Sequence, residues 1–365
     1  MKKYKEKYIE WLERQNNKNL KKAAINKKKK SKKKFYDYIK DSNGKIHRVK
    51  INEKELKAPE NFSIINNTEE TVLYFRKIIQ YIKAHNGSRF NALFFNVAHI
   101  KNMSIDAIMY LLAIIYNFNN LKTSILRIKG NGPRDKDIKR KMVNSGFFNM
   151  IKDKDSNITS NNNMQEILYG ELVDGTAASR VIRLAENYFG LKKCFKFLYN
   201  IIIELMTNTK SHAYGNRHFT INSWYLYAEC GDDKLYITFI DTGLGIPDTI
   251  LKKVLENLKD KYMKRNRDAQ YILSALKGDF RTRTREKNRN KGMPEIFNYY
   301  KNNKIENLKI VSCYGKIDTN RQCHDINEYA IGINNYLYGT VFYLEIHKNN
   351  FQIYEGVKNE NKYSK

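Results

Sequence analysis

Apolar and polar positions alternate with two different periods along this chain, and the period decides each element. From Thr68 to Ala84, Val72, Phe75, Ile78, Ile79 and Ile82 recur at three- and four-residue steps. That spacing lines one face of a helix. Thr68 is a candidate N-cap with Glu69 and Glu70 behind it in the first turn, and Asn86-Gly87 closes the segment. Ala92 to Val97 is a short apolar run that fits a buried strand, and Thr123 to Lys129 is another. Ser104 caps an expected helix over Ile105 to Tyr116, and a further helix is predicted from Asp135 to Asn144, stopped by Ser145-Gly146. Helices alternating with short buried strands predict a small α/β layer.

A boundary precedes this layer at Ala58-Pro59-Glu60, because the residue before a proline avoids the helical region. Residues 1–57 read as a basic, flexible tail, residues 58–155 as the α/β unit, and residues 156–167, centred on I-T-S-N-N-N, as a polar linker. A second unit is expected over 168–350, with 351–365 as a C-terminal tail. In that unit a helix starting near Leu191 sets Phe197, Ile201, Glu204, Asn208 and His212 along one side. An apolar stripe therefore continues into three polar side chains at four-residue intervals. Tyr236 to Ile240 is an apolar strand that runs into D-T-G-L-G-I-P at Asp241 to Pro247. Two glycines one residue apart let the backbone turn and approach a ligand with no Cβ between them.

Composition adds three constraints. With 365 residues, 41% of them hydrophobic, the chain can bury a substantial core in two units. The apolar run from Ile105 to Phe118 contains Asp106 and is shorter than the about 20 residues a membrane helix needs, and the N-terminus has no uninterrupted apolar stretch. A cytoplasmic protein without membrane contact is the expectation. Cys194, Cys230, Cys313 and Cys323 include no C-x-x-C pair, so free thiols are expected in place of zinc or a disulfide framework.

The formal charge of +29 is uneven. Residues 1–50 carry 19 Lys+Arg and 5 Asp+Glu, a net of +14, including the run K-K-K-K-S-K-K-K at Lys27 to Lys34. Such a run suits contact with nucleic acid, and AT-rich coding explains it equally well.

The first unit resembles a STAS domain, the small α/β module of bacterial anti-sigma-factor antagonists. The resemblance rests on A-L-F-F-N-V-A-H-I-K-N-M-S-I-D-A-I-M-Y-L-L (Ala92 to Leu112), I-K-G-N-G-P, and S-G-F-F at Ser145 to Phe148. In phosphorylation-regulated members a serine stands at the turn into this helix. The corresponding position here holds Asp106 or Ile105, with Ser104 just ahead.

The second unit resembles the GHKL ATPase superfamily of gyrase, Hsp90, MutL-type proteins and histidine kinases. Four motifs carry it in order: E-L-x-x-N-x-x-x-H-A from Glu204 to Ala213, D-x-G-x-G-I from Asp241, K-G-M-P-E-I at Lys291 to Ile296, and G-T-x-F at Gly339 to Phe342. The resemblance implies an α/β sandwich with a mixed sheet that binds ATP with Mg²⁺. Asn208 would ligate Mg²⁺, Asp241 would accept from the adenine amino group, and Gly243 and Gly245 would shape the base pocket. Gly292 would belong to the phosphate loop, Thr340 would support the base site, and Glu204 would be the general base. His212 would pack or hydrogen-bond. The basic stretch Phe280 to Lys291 would form a lid, and Asn290-Lys291-Gly292 departs from the usual G-x-G by keeping one glycine.

These implications favour a slow regulatory ATPase whose nucleotide state controls the STAS-like unit or a homodimer. An anti-sigma-type serine kinase is the alternative, and a nucleic-acid-tethered module that binds ATP without turnover is the second. An autophosphorylating histidine kinase ranks low, since His47, His85 and His99 lie on no long heptad pattern.

Overall fold

The computed structural model describes residues 35–40, 45–85, 87, 90–119, 126–151, 163–191, 196–211, 223–250, 264–279, 292–320 and 325–351. Among them the chain is a mixed α/β protein, and no described helix is long and apolar enough to cross a membrane. The lysine run at 27–34, most of the polar linker, His212 with Ala213, the basic segment 280–291 and the tail from 352 lie outside the described residues.

Four strands make the first sheet: β1 (Phe35–Lys40), β2 (Ile46–Lys57), β4 (Asn91–Asn96) and β6 (Arg127–Gly130), in the order β1-β2-β4-β6. Two residues each of β3 (Asn61–Phe62) and β5 (Asn102–Met103) pair separately. β1 runs antiparallel to β2, whereas β2, β4 and β6 are parallel. Residues 35–57 thus correct the expected tail, since 35–40 and 46–57 are sheet. The segment IHRVKINEKELK keeps apolar residues at few positions and most of β2 is exposed, so a strand with a solvated face reads as a charge run.

Helix α1 (Thr68–His85) follows the expected stripe, with Val72, Phe75, Ile78, Ile79 and Ile82 all buried. Next come α2 (Ile105–Asn119), α3 (Lys136–Asn144) and α4 (Phe147–Ile151). Asp135 is the cap of α3, accepting from the amides of Asp137 at 2.9 Å and Ile138 at 3.0 Å.

The second sheet has five strands in the order β10-β11-β9-β8-β7, and every neighbouring pair is antiparallel, which corrects the expected mixed sheet: no described strand of this unit enters through a parallel crossover. These are β7 (Met164–Gly170), β8 (Trp224–Gly231), β9 (Lys234–Asp241), β10 (Asn307–Asp318) and β11 (Ala330–His347). β7 begins four residues before the expected start of the unit at 168, because its partly buried Met164 and Gln165 already pair with β8. The helices are α5 (Gly175–Phe189), α6 (Lys196–Ser211), α7 (Ile246–Thr249), α8 (Lys264–Lys277) and α9 (Gly292–Lys301).

Side chains alternate across a strand, so each strand of this sheet serves two cores. Leu226, Ala228, Leu235, Ile237, Phe239, Phe342 and Leu344 pack with α5, α6, α8 and α9. Tyr225, Tyr227, Ile240, Val311 and Val341 point the other way, into the core that holds α1 and α2 of the first unit. The two units are therefore layers of one stack: sheet, helices, sheet, helices. Each buried side chain of that second set contributes about 1.5–3 kcal/mol on removal from water.

Polar ties reinforce the junction. Tyr110 OH on α2 donates to the carbonyl of Tyr338 at 2.7 Å. Lys316 Nζ on β10 donates to the carbonyl of Ile65 at 2.8 Å, in the turn ahead of α1. The buried carboxylate of Asp106 accepts from the amides of Ile64 and Ile65 in that same turn. The residue at the expected switch position is thus a structural tie, and its pKa is raised by burial.

Candidate functional site

The site grows out of one row across the second sheet. Ser312 pairs with Thr340, Thr340 with Asp241, Asp241 with Trp224, and Trp224 with Gly170. Asp241 shares its parity on β9 with Leu235, Ile237 and Phe239, and Thr340 shares its own with Phe342 and Leu344. The row consequently faces α6 and α9 and turns its back on the first unit. The indole of Trp224 lies over Gly170, where an added Cβ would stand 2.6 Å from its Cζ2, and Trp224 Nε1 donates to the carbonyl of Leu172 at 2.7 Å.

Asp241 ends β9 as a partly buried carboxylate. Its Oδ1 accepts from the amide of Gly243 at 2.8 Å, and the Thr340 hydroxyl also bonds to it. Burial pushes its pKa up to about 6, against which these two hydrogen bonds act. A carboxyl held at that value gains from a further donor, since each hydrogen bond to the ionised form favours it.

The glycine turn after Asp241 is fixed from below. Gly245 has φ +88°, and a Cβ there would stand 2.7 Å from Cys313 Sγ and 2.8 Å from Ser312 Oγ. Only glycine suits both the left-handed backbone and the close approach. Ser312 Oγ accepts from the amide of Ile246 at 3.0 Å, donates to the carbonyl of Gly339 at 3.0 Å, and lies 3.2 Å from Thr340 Oγ1. Gly243, Gly245, Thr340 and Asp241 are thus one corner. The residues around Ser312 carry no sign of its part in the corner, which depends on the register between β10 and β11.

The second half of the site lies on α6. Glu204 and Asn208 are one turn apart on that helix, both half-buried. Asn208 Nδ2 is buried with no hydrogen-bond partner among the described residues. Glu204 lies against Gly292, the first residue of α9, so closely that a Cβ at Gly292 would overlap its Oε1, Cδ and Cγ. Burial raises the Glu204 pKa, and the carboxylate of Glu295 in the first turn of α9 raises it further. Glu295 Oε1 in turn accepts from Tyr299 OH at 2.6 Å. A carboxylate with a raised pKa is a better proton acceptor once ionised.

The structure therefore gathers Asp241, Gly243, Gly245 and Thr340 at one place and Glu204, Asn208 and Gly292 at another on the same side of the sheet. Among the described residues no group of three His, Cys, Asp or Glu could hold a metal ion by itself. A divalent cation here would rest on Asn208 and on oxygens brought by a ligand, which suits Mg²⁺ and its preference for few protein ligands. No protein-family model matches the chain, and no curated protein matches it.

Proposed function

We propose that the second unit is a GHKL-type nucleotide site that binds ATP with Mg²⁺ and hydrolyses it slowly, and that its nucleotide state acts on the STAS-like first unit. The observation that carries this reading is the Asp241 corner: a carboxyl paired across the strands with Thr340, bonded to the amide of Gly243 in a glycine turn, at the end of the sheet face against which α6, the helix of Glu204 and Asn208, packs.

The buried Nδ2 of Asn208, without a partner among the described residues, supports a ligand position, because a buried polar group left without a partner costs about 1–3 kcal/mol. Side-chain O and N exchange by a simple flip, which would put the amide oxygen in the place of Nδ2 and let it ligate the cation. Bound Mg²⁺ would neutralise phosphate charge. Asp241 would take the amino group of the base, and the turn from Gly243 to Gly245 would lie along it. Glu204 would remove the proton from the attacking water, a role typically worth about 10²–10⁴-fold in rate.

The serine-kinase alternative has less support from the position of Ser104, one of the hydroxyls it could use. Ser104 sits at the start of α2, which packs on the opposite face of the second sheet from α6, and its Oγ is buried. The nucleic-acid reading concerns a basic segment outside the described residues.

The test is incubation of the full chain with γ-labelled ATP and Mg²⁺. Free phosphate, lost in Glu204→Ala, with no label on protein, is the expected result. Label transferred to a hydroxyl would favour the kinase, and the absence of any ATP binding at millimolar concentration would overturn the site.

A further inference from the structure

The base corner has a support that reaches through the sheet to the first unit. Regular pairing between β10 and β11 breaks there: Gly315 pairs with Gly332, Cys313 with Leu337, and Ser312 with Thr340. Residues 333–336 are thus extra chain on β11, opposite Tyr314 alone. Such a bulge bends the strand and aims side chains away from the ladder.

This stretch holds the glycine turn on one side. Tyr336 OH donates to Asp248 Oδ2 at 2.6 Å, in α7 immediately after the turn, and lies 3.5 Å from the carbonyl of Leu244. On its other side it holds α1. The amide and Nδ2 of Asn334 donate to Glu69 Oε1 at 2.8 and 3.0 Å, and Asn335 Nδ2 donates to Glu69 Oε2 at 3.3 Å. Glu69 stands in the first turn of α1, where the helix dipole favours a carboxylate and so stiffens the clamp. Three consecutive residues therefore join the turn after Asp241 to the N-terminus of a helix in the other unit.

We infer that Tyr336 is a positioning residue for the nucleotide site and that Glu69 sets its place, so that nucleotide occupancy and the N-terminus of α1 are energetically linked through residues 334–336. The inference rests on the nucleotide reading above and supplies its route into the first unit. Linkage is reciprocal: whatever loosens the Glu69 clamp weakens nucleotide binding, and nucleotide binding tightens the clamp. The contrast is with a passive buttress, which would hold the fold together and leave no nucleotide dependence at Glu69.

The experiment titrates the full chain, Glu69→Ala, Glu69→Gln and Tyr336→Phe with Mg·ATP, and follows hydrogen exchange over residues 63–71 with and without nucleotide. Glu69→Ala and Tyr336→Phe are expected to raise Kd about five- to tenfold, the loss of roughly one hydrogen bond. For Glu69→Ala the loss falls on Kd, with kcat at saturation retained. Glu69→Gln, which keeps an acceptor for Asn334, recovers at least half of it. Nucleotide slows exchange over 63–71 in the natural chain and ceases to do so in Tyr336→Phe. Should Tyr336→Phe misfold, the two Glu69 variants decide alone. Unchanged Kd in Glu69→Ala and no nucleotide effect over 63–71, while Asp241→Asn still impairs binding, would overturn the linkage and leave the site standing. A natural chain that fails to bind Mg·ATP would overturn both.

Discussion

The carboxylate of Glu204 rests on the Cα of Gly292, so the helix that carries the candidate base and the helix that carries the candidate phosphate-loop glycine meet where a side chain on Gly292 could not fit. The overlap would reach Cγ of Glu204 as well as its carboxylate, and a small rotation at the end of the side chain would not relieve it. Gly292→Ala is therefore expected to drive Glu204 out of position and to cut phosphate release by tenfold or more. Stability is expected to fall as well, by the cost of displacing Glu204, since at the first residue of α9 the interior helix preference for alanine gives no offsetting gain. Turnover and thermal midpoint measured together check this. Natural turnover in a folded Gly292→Ala would show that Glu204 needs no such seat.

Asp241 predicts a conflict between stability and binding. Its ordinary pKa of 3.8 rises to about 6 in the fold, so the folded state holds the proton more tightly than the unfolded chain. The stabilising effect of that proton is complete below about pH 4 and lost as pH rises through about 6. At pH 7.5 the ionised group costs on the order of 2–3 kcal/mol in the unliganded protein. Asp241→Asn should then be more stable than the natural chain at pH 7.5 and no more stable at pH 4, while binding ATP about ten- to a hundredfold more weakly. Urea midpoints at the two pH values and one titration decide it. An equal stability difference at both values would remove the titration argument.

The sequence made the helices legible where one face alone was buried. α1 shows its stripe because Val72 to Ile82 face one core and the charged residues between them face outward. β9 was legible for the opposite reason: Leu235, Ile237 and Phe239 face one core and Ile240 the other, which leaves a short continuous apolar run. β2 was not, because its charged residues are those of a mostly exposed strand. In the site, Asp241 and Glu204 could be named only through the ordered motifs that carry the resemblance, since spacing alone would leave them as surface residues. Ser312, Trp224 and Tyr336 could not, since their positions follow from strand register and from a bulge, and neither is written in the residues near them.

The layered stack also sets how the two units unfold. Tyr225, Tyr227, Ile240, Val311 and Val341 of the second unit are each at most 2% exposed because α1 and α2 cover them. A fragment of residues 163–351 would expose that whole face to water, an apolar patch of the kind that drives association. The fragment is expected to aggregate or to lose its thermal transition, and the full chain to melt in one cooperative step. A monomeric fragment with a sharp transition and a second, separate transition in the full chain would show that the shared core adds little.

Glu204 and Asn208 lie one turn apart on α6 and are expected to separate cleanly by mutation. Asn208 presents a buried Nδ2 without a partner among the described residues, whereas Glu204 presents a carboxyl of raised pKa against the start of α9. Glu204→Ala should lower phosphate release by about 10²–10⁴-fold and keep ATP bound, because a general base acts on the transition state far more than on the bound ground state. Asn208→Ala should raise Kd for Mg·ATP and lower turnover together, since loss of a ligand loosens the cation and the phosphates it orients. Binding measured without Mg²⁺ separates the roles further: Asn208→Ala should then resemble the natural chain. Equal loss of binding in both variants would make Glu204 a structural residue, and near-natural turnover in Glu204→Ala would remove hydrolysis from the proposal.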